Sequence, residues 1–270
     1  MRYGMNIGKH YNFLGTEVEA LTYPEFFTHV DRWVANKNGR SRHIAIINAF
    51  CATEAFHNSR VAEIYNKADL IGPDGMPFVY WLRWVLKRPC EQFDASSIVT
   101  NLAENAREAG YTFYLYGGHP DVVVQMKEKL EALYPHINIV GYFSPPFRPM
   151  TDAEDKRICD EINKLKPDII CVGLGTPKQD YWIDEHIYKI KGAVFIPCGA
   201  IFDFFGGRVQ RAPKVIRKLG IEWLYRLFSK DIKRLWYRYT VLNLIFLWNF
   251  FLQEIGRRKY EPMRSIRDDR

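Results

Sequence analysis

Apolar residues fall into two rhythms along this chain. Short runs rich in β-branched and aromatic residues recur at His43–Asn48, Thr112–Tyr116, Ile137–Val140, Asp168–Leu174 and Ala193–Pro197. Several are apolar without a break, as in Ile169-Ile170-Cys171-Val172. A strand covered on both faces reads that way, so the runs predict a mostly parallel, buried sheet. Between them the spacing turns helical. Pro120–Leu133 sets Val123, Met126 and Leu130 on one face. Thr151-Asp152-Ala153-Glu154 is a capping box opening a helix that ends near Pro167. Ser96–Ala109 and Cys51–Lys67 also carry helical character. Strand alternating with helix predicts a doubly wound, Rossmann-like α/β domain. Ligands of such sheets sit outside the carboxyl ends of the strands. The loops there are Asn48 onward, Gly117-Gly118, Gly141–Pro149, Gly173–Gln179 and Gly199–Asp203.

Past Gly207 the pattern changes. Pro213 suits a helix start, and Ile216, Leu219, Trp223 and Leu227 follow helical spacing with Lys214, Arg217, Lys218 and Arg226 off the stripe. A second helix is expected from Asp231 into the apolar stretch Leu244–Leu252. Charge sharpens this division. Residues 208–270 hold 16 Lys or Arg against 6 Asp or Glu, a net of +10; the whole chain is +7, so residues 1–207 sum to −3. Trp223, Tyr225, Trp236, Tyr237, Tyr239 and Trp248 are interleaved with the cations. Cations, interfacial aromatics and an apolar face equip a helix to lie on an anionic bilayer. A basic aromatic tail also suits nucleic acid, so the tail alone leaves both open. A membrane span needs about 20 mostly apolar residues. Only 18 lie between Arg238 and Arg257, with Thr240, Asn243, Asn249, Gln253 and Glu254 among them, so surface attachment is expected. The chain therefore divides into an α/β catalytic domain at 1–207 and a basic, aromatic, helical appendage at 208–270.

An apolar content of 47% with 26% charge is globular and argues against wholesale disorder. The five cysteines are scattered and have no C-x-x-C spacing, which speaks against a disulfide framework or structural zinc and for a reducing compartment. Met1–Gly15 contains no apolar signal core, so a cytoplasmic location is expected.

Three segments offer chemistry. Asp74, between Pro73 and Gly75 after an apolar run, is either a turn aspartate bonding its own backbone or a general base at the mouth of the sheet. Gly173-Leu174-Gly175-Thr176-Pro177-Lys178-Gln179 is either an ordinary strand-to-helix turn or a seat for an anionic or sugar ligand. It is not G-x-G-x-x-G, because Lys178 takes the third glycine position, which weakens a dinucleotide reading. Asp203 lies among aromatics, with Arg208 and Arg211 close behind. Those arginines are either part of a solvated basic linker or a clamp for a diphosphate. No D-x-D occurs, so a metal-bridged diphosphate has no obvious ligands.

Taken in order, Asn48, Ala68-Asp69, Pro73-Asp74-Gly75-Met76-Pro77, Tyr116-Gly117-Gly118, Gly173–Gln179, Phe202-Asp203, Gly207-Arg208, Arg211-Ala212-Pro213 and Glu222-Trp223-Leu224-Tyr225-Arg226-Leu227 carry a resemblance. The chain resembles the WecG/TagA/CpsF glycosyltransferases, bacterial enzymes of cell-surface polysaccharide synthesis, from about Ile44 to Tyr239. The resemblance implies an inverting, metal-independent transfer, without cofactor, from a UDP-sugar to a polyprenyl (undecaprenyl)-diphosphate-linked sugar. It also implies work at the cytoplasmic membrane face, with a C-terminal segment that docks on the membrane and helps complete the site. Asp74 falls where the family has its proposed catalytic base. Asn48 and Gln179 match polar active-site positions, and Gly175 and Asp203 fall within the matched motifs. Arg211 and Arg226 match arginines thought to face the donor diphosphate.

Four positions depart from the family pattern. Ile46 stands for a frequent Thr, Gln92 for an Arg, Asp180 for a Glu, and Asp231-Ile232 for an acid-proline step. The first two leave the donor sugar open. The expected partners are thus a UDP-sugar, a lipid-linked sugar acceptor and an anionic membrane surface, not nucleic acid. Exposed apolar tail surface also suits a homo-oligomer. The competing readings are a nucleotide-dependent oxidoreductase, which lacks its glycine fingerprint here, and a non-enzymatic membrane adaptor.

Overall fold

The computed structural model describes residues 9–199, 201–207, 213, 236–237 and 240–261. Its strands form two sheets. The first is an antiparallel hairpin of β1 (Lys9–Phe13) and β2 (Thr16–Ala20). Leu14 and Gly15 form the turn between them, with φ of 52° and 94°. Two consecutive positive φ values match the right-handed twist of the paired strands.

The second sheet holds six strands: β3 (Arg42–Ile47), β4 (Leu70–Pro73), β5 (Thr112–Gly117), β6 (Asn138–Phe143), β7 (Ile169–Gly173) and β8 (Val194–Pro197), in the order β4-β3-β8-β7-β5-β6. The β3–β8, β8–β7, β7–β5 and β5–β6 pairings are all parallel. The expected doubly wound α/β sheet is therefore present. β6 runs further than the Ile137–Val140 expectation because it pairs with β5 as far as Phe143. As an edge strand it is only half-covered, so its apolar run is shorter than its ladder.

Helices connect the strands: α1 (Tyr23–Ala35), α2 (Ala49–His57), α3 (Ser59–Asn66), α4 (Met76–Leu86), α5 (Ala95–Ala109), α6 (Pro120–Leu133), α7 (Asp152–Leu165), α8 (Lys178–His186), α9 (Ile201–Phe205) and α10 (Val241–Glu254). The helical stretch expected at Cys51–Lys67 is two helices, because Asn58 interrupts it. Asn58 has φ −133° and ψ 104°, and its Oδ1 accepts from Arg60 N and Val61 N, so it caps α3 instead of continuing α2. The capping box at Thr151 and Glu154 forms as expected.

Two compact units contain these elements. The first takes its residues from Met1–Glu25, Ala45–Asp94 and Arg211–Arg270, so it includes the hairpin, α2 to α4 and α10. Within it α10 packs on α2, and Phe246 stacks on Phe78 at 5.2 Å and on Phe250 at 5.5 Å. Gln253 bonds Leu14 N and Asn12 O, tying α10 to the hairpin turn. The second unit, Phe26–Ile44 with Ala95–Gln210, has its own core. There Tyr114, Tyr116, Ile170, Val172, Trp182, Ile183 and Phe195 pack together with α7 residues Ile158 and Ile162. Among the described residues no helix is long and apolar enough to cross a membrane.

Candidate active site

Asp74 begins the turn after β4, and its backbone and side chain are held from three directions. Its N–H donates to Ile47 O, the last carbonyl of β3, at 2.9 Å. Asn48 Nδ2 donates to its carboxylate Oδ2 at 2.7 Å. Gln92 Nε2 donates to its carbonyl oxygen. One residue earlier, Phe93 N donates to Pro73 O at 2.7 Å, locking the 92–93 strap onto the end of β4. Asn48 is committed at both ends, because its Oδ1 accepts from Cys51 N at 3.1 Å as the N-cap of α2. Helix α2 therefore aims the amide that aims the carboxylate. A neutral amide orients the Asp74 carboxylate through a hydrogen bond without itself bringing a charge.

In the second unit, Gln179 opens α8 and is 5% exposed. Its Oε1 accepts from Gly175 N at 3.1 Å and from Gly199 N at 3.0 Å, while Nε2 donates to Thr176 Oγ1 at 3.1 Å. The amide is a strut between the turn after β7 and the turn after β8. Both lone pairs of its oxygen are engaged, which turns this side chain toward the fold. Gly175 has φ 77° and open space where a Cβ would stand. The Thr176–Pro177 peptide is cis.

Close backbone approach ties this turn to the one after β5. A Cβ on Gly117 would lie 2.5 Å from Gly173 O, and one on Gly173 would lie 2.2 Å from the Phe202 ring. Only glycine fits at either place. Gly118 N donates to Gly173 O at 3.1 Å, and Ser144 Oγ donates to Gly118 O at 2.7 Å. The carboxyl-end loops of β5, β6, β7 and β8 thus share one floor, with Phe202 beneath it. Asp203, next in α9, is half-buried.

Of the expected site residues, the structure joins Asn48 to Asp74 and joins Gln179 to the Gly175 turn. Arg211, Arg226 and Arg208 lie outside the described residues. The braces Gln92 and Thr176 escaped the sequence reading as braces. Gln92 drew notice only as a departure from an expected arginine, and nothing local marks either partner.

Among the described residues, Asp155, Cys159 and His186 place potential metal-ligand atoms within 4.8 Å of one another. Their bonds are already made without an ion. His186 Nε2 meets Asp155 Oδ1 at 2.6 Å, its Nδ1 meets Trp182 O at 2.7 Å, and Lys189 Nζ donates to Asp155 Oδ2 at 2.7 Å. Desolvation raises the Asp155 carboxyl, but hydrogen bonds from Lys189 and His186 outweigh it and leave its pKa below the ordinary 3.8. Burial pushes the Cys159 thiol up to about 11, away from the thiolate a metal needs. The cluster is a structural ion pair between α7 and the end of α8. All five cysteines are buried.

An N-acetylglucosaminyldiphosphoundecaprenol N-acetyl-beta-D-mannosaminyltransferase of Bacillus spizizenii is 27% identical over 208 residues, covering 77% of this chain and 79% of the relative. The protein of the same description from Staphylococcus aureus is 26% identical over 224 residues, covering 83% and 86%. The family described as glycosyl transferase WecG/TagA/CpsF matches residues 11–260. With that match spanning nearly the whole chain, the protein belongs to the WecG/TagA/CpsF family of glycosyl transferases.

Proposed function

We propose that this glycosyltransferase moves a sugar from a UDP-sugar to a sugar carried on polyprenyl diphosphate, with inversion and without a metal ion. The observation that carries the reading is the Asp74 carboxylate, held by Asn48 at the carboxyl end of β4. In the reaction, Asp74 accepts the proton of the acceptor hydroxyl as that oxygen attacks the anomeric carbon. The bond from that carbon to the UDP oxygen breaks, its electron pair leaves with UDP, and attack opposite the leaving group inverts the centre. The negative charge that develops on UDP needs positive charge or aligned N–H groups. We assign it to Arg211 and Arg226, whose planar guanidinium groups match a diphosphate without a cation bridge. The absence of D-x-D fits that assignment.

The two relatives are named for transfer of N-acetylmannosamine to N-acetylglucosaminyl-diphosphoundecaprenol, which supports a polyprenyl-diphosphate acceptor here. Ile46 and Gln92 leave the donor sugar to experiment. We assign residues 208–270 to membrane association on the cytoplasmic face. Support comes from their +10 charge and from the exposed outer face of α10, formed by Leu244, Leu247, Trp248 and Phe251. The test is a screen of UDP-sugars against synthetic polyprenyl-diphosphate sugars, reading product mass and anomeric configuration. Transfer with inversion in chelator supports the proposal. Retention of configuration, a strict metal requirement, or turnover only with a soluble acceptor overturns the corresponding part.

A further inference from the structure

A single exposed phenylalanine carries no meaning by itself. Phe147 differs in where it stands and how it is held. It is 95% exposed in the loop that leaves the carboxyl end of β6, the region of an open α/β sheet where ligands bind. The loop is anchored on both sides of it. Ser144 Oγ donates to Gly118 O at 2.7 Å, and the Arg148 guanidinium bonds both carboxylate oxygens of Glu154, at 2.8 and 2.7 Å. Pro145, Pro146 and Pro149 further limit its backbone. The ring is therefore held out in water by a braced loop rather than left on a slack one. Beside it is the His119 ring, tilted at 43° with centroids 6.3 Å apart, so Phe147 stands next to a second aromatic while its own faces stay open to solvent.

We propose that Phe147 is the stacking platform for the pyrimidine base of the donor nucleotide, a role that rests on the UDP-sugar reading above. Spacing selects the base over the sugar. β6 and β7 flank β5, so their carboxyl ends stand roughly 10 Å apart, two strand spacings. An extended nucleoside diphosphate has about that reach from base to terminal phosphate. A base on Phe147 thus sets its diphosphate toward the turn after β7, past the glycine-rich turns at Gly117-Gly118 and Gly173–Gly175. An aromatic face accepts a planar base without hydrogen-bond readout, so base identity must be read elsewhere.

The experiment measures UDP binding by calorimetry on the full chain, with no acceptor present, for wild type, F147A, F147L and F147Y. We expect Phe147→Ala and Phe147→Leu each to weaken UDP about tenfold with an unchanged melting temperature, and Phe147→Tyr to stay within twofold of wild type. That size is within the worth of a base stacked on an aromatic side chain. Unchanged UDP affinity in F147A overturns the platform, as does full affinity in F147L, which keeps apolar bulk but lacks the π face. A raised KM for the lipid acceptor with unaltered UDP binding also overturns it, moving Phe147 to the acceptor. Wild type that binds no UDP overturns the donor reading itself, a result separable from a wild type that binds UDP and an F147A that binds it equally well.

Discussion

Asn48 Nδ2 donates to Asp74 Oδ2 at 2.7 Å while Asn48 Oδ1 caps α2 through Cys51 N. One side chain therefore links a helix start to the carboxylate proposed as base, and the two effects can be separated by substitution. Asp74→Asn keeps size and shape but cannot take a proton. Turnover should fall by about 10²–10⁴, the range for a lost general base, with UDP binding and melting temperature unchanged. Near-normal transfer by D74N would remove Asp74 from the mechanism.

Asn48→Asp tests the orienting bond without removing the cap, since Asp caps helices as well as Asn does. It places two carboxylates side by side, which raises the pKa of the pair. The acidic limb of the pH–rate profile should move to higher pH while α2 stays formed. A profile that superimposes on wild type would show that the Asn48 contact does not touch the reacting group.

Gln92 donates to the carbonyl of Asp74, so it sets the backbone that carries the carboxylate. Gln92→Leu should lower kcat by about tenfold, the loss of about one hydrogen bond's worth of positioning, with KM for the donor unchanged. A selective rise in donor KM would mean that Gln92 contacts substrate, the part its position suggests from the family pattern. Steady-state kinetics on the lipid acceptor decides between the two.

Gln179→Leu leaves the N–H groups of Gly175 and Gly199 without their acceptor inside the fold. An unmade buried hydrogen bond costs about 1–3 kcal/mol, so chemical denaturation should show a loss in that range. Activity should fall with it, because two carboxyl-end turns come loose together. Full stability with lost activity would instead make Gln179 a direct substrate contact.

How far these features can be read from sequence depends on how local their causes are. The strands from β5 to β8 and the buried face of α6 announce themselves, because unbroken apolar runs and helical spacing are local signals. Val123, Met126 and Leu130 are each at most 1% exposed, as their spacing predicts. The β1–β2 hairpin went unread because Leu14-Gly15 is not a usual hairpin dipeptide, although Leu14 adopts φ 52°. The break at Asn58 was hidden within apolar spacing that runs through it. The braces were harder still. Gln179 bonds Gly199, 20 residues away, and Gln92 bonds Asp74, 18 away, so each partner is chosen by the sheet and not by its neighbours in sequence.

The Asp155 cluster predicts a pH dependence of stability. Its folded pKa lies below 3.8, so its contribution is complete above that value and is lost as pH falls through the lowered one. Lys189 works in the opposite sense. Asp155 raises it above 10.5, so that contribution is present below 10.5 and lost as pH climbs through the raised value. Groups facing Asp155 include His186, Lys189, Cys159 and Tyr116. Asp155→Asn should lower stability at neutral pH and flatten both the acid and the alkaline flanks, as read by melting temperature against pH. Equal acid flanks in the two proteins would remove Asp155 as a source of acid lability.

The last helix shows why truncation is the wrong test of the tail. Cutting after Gly207 would remove more than a membrane contact, because α10 buries Leu242 and Phe246 and stacks on Phe78. Removing it would open the first unit's core, and a Phe-to-Ala change at such a site alone costs about 3–5 kcal/mol. The outer face can be changed without that penalty. Leu244, Leu247, Trp248 and Phe251 recur at helical spacing and are 52–66% exposed, with Arg257, Arg258 and Lys259 exposed beyond the helix end. Replacing the four apolar residues by Ser should leave the melting temperature near wild type and abolish cosedimentation with vesicles containing anionic lipid. Replacing the three cations by Gln should weaken that binding by about 1 kcal/mol each, and added salt should mimic the loss. If the outer face serves membrane attachment, transfer to a polyprenyl acceptor in vesicles should drop with vesicle binding, while transfer to a short-chain, water-soluble acceptor persists. Vesicle binding that survives both sets of changes would place the membrane contact elsewhere in the chain.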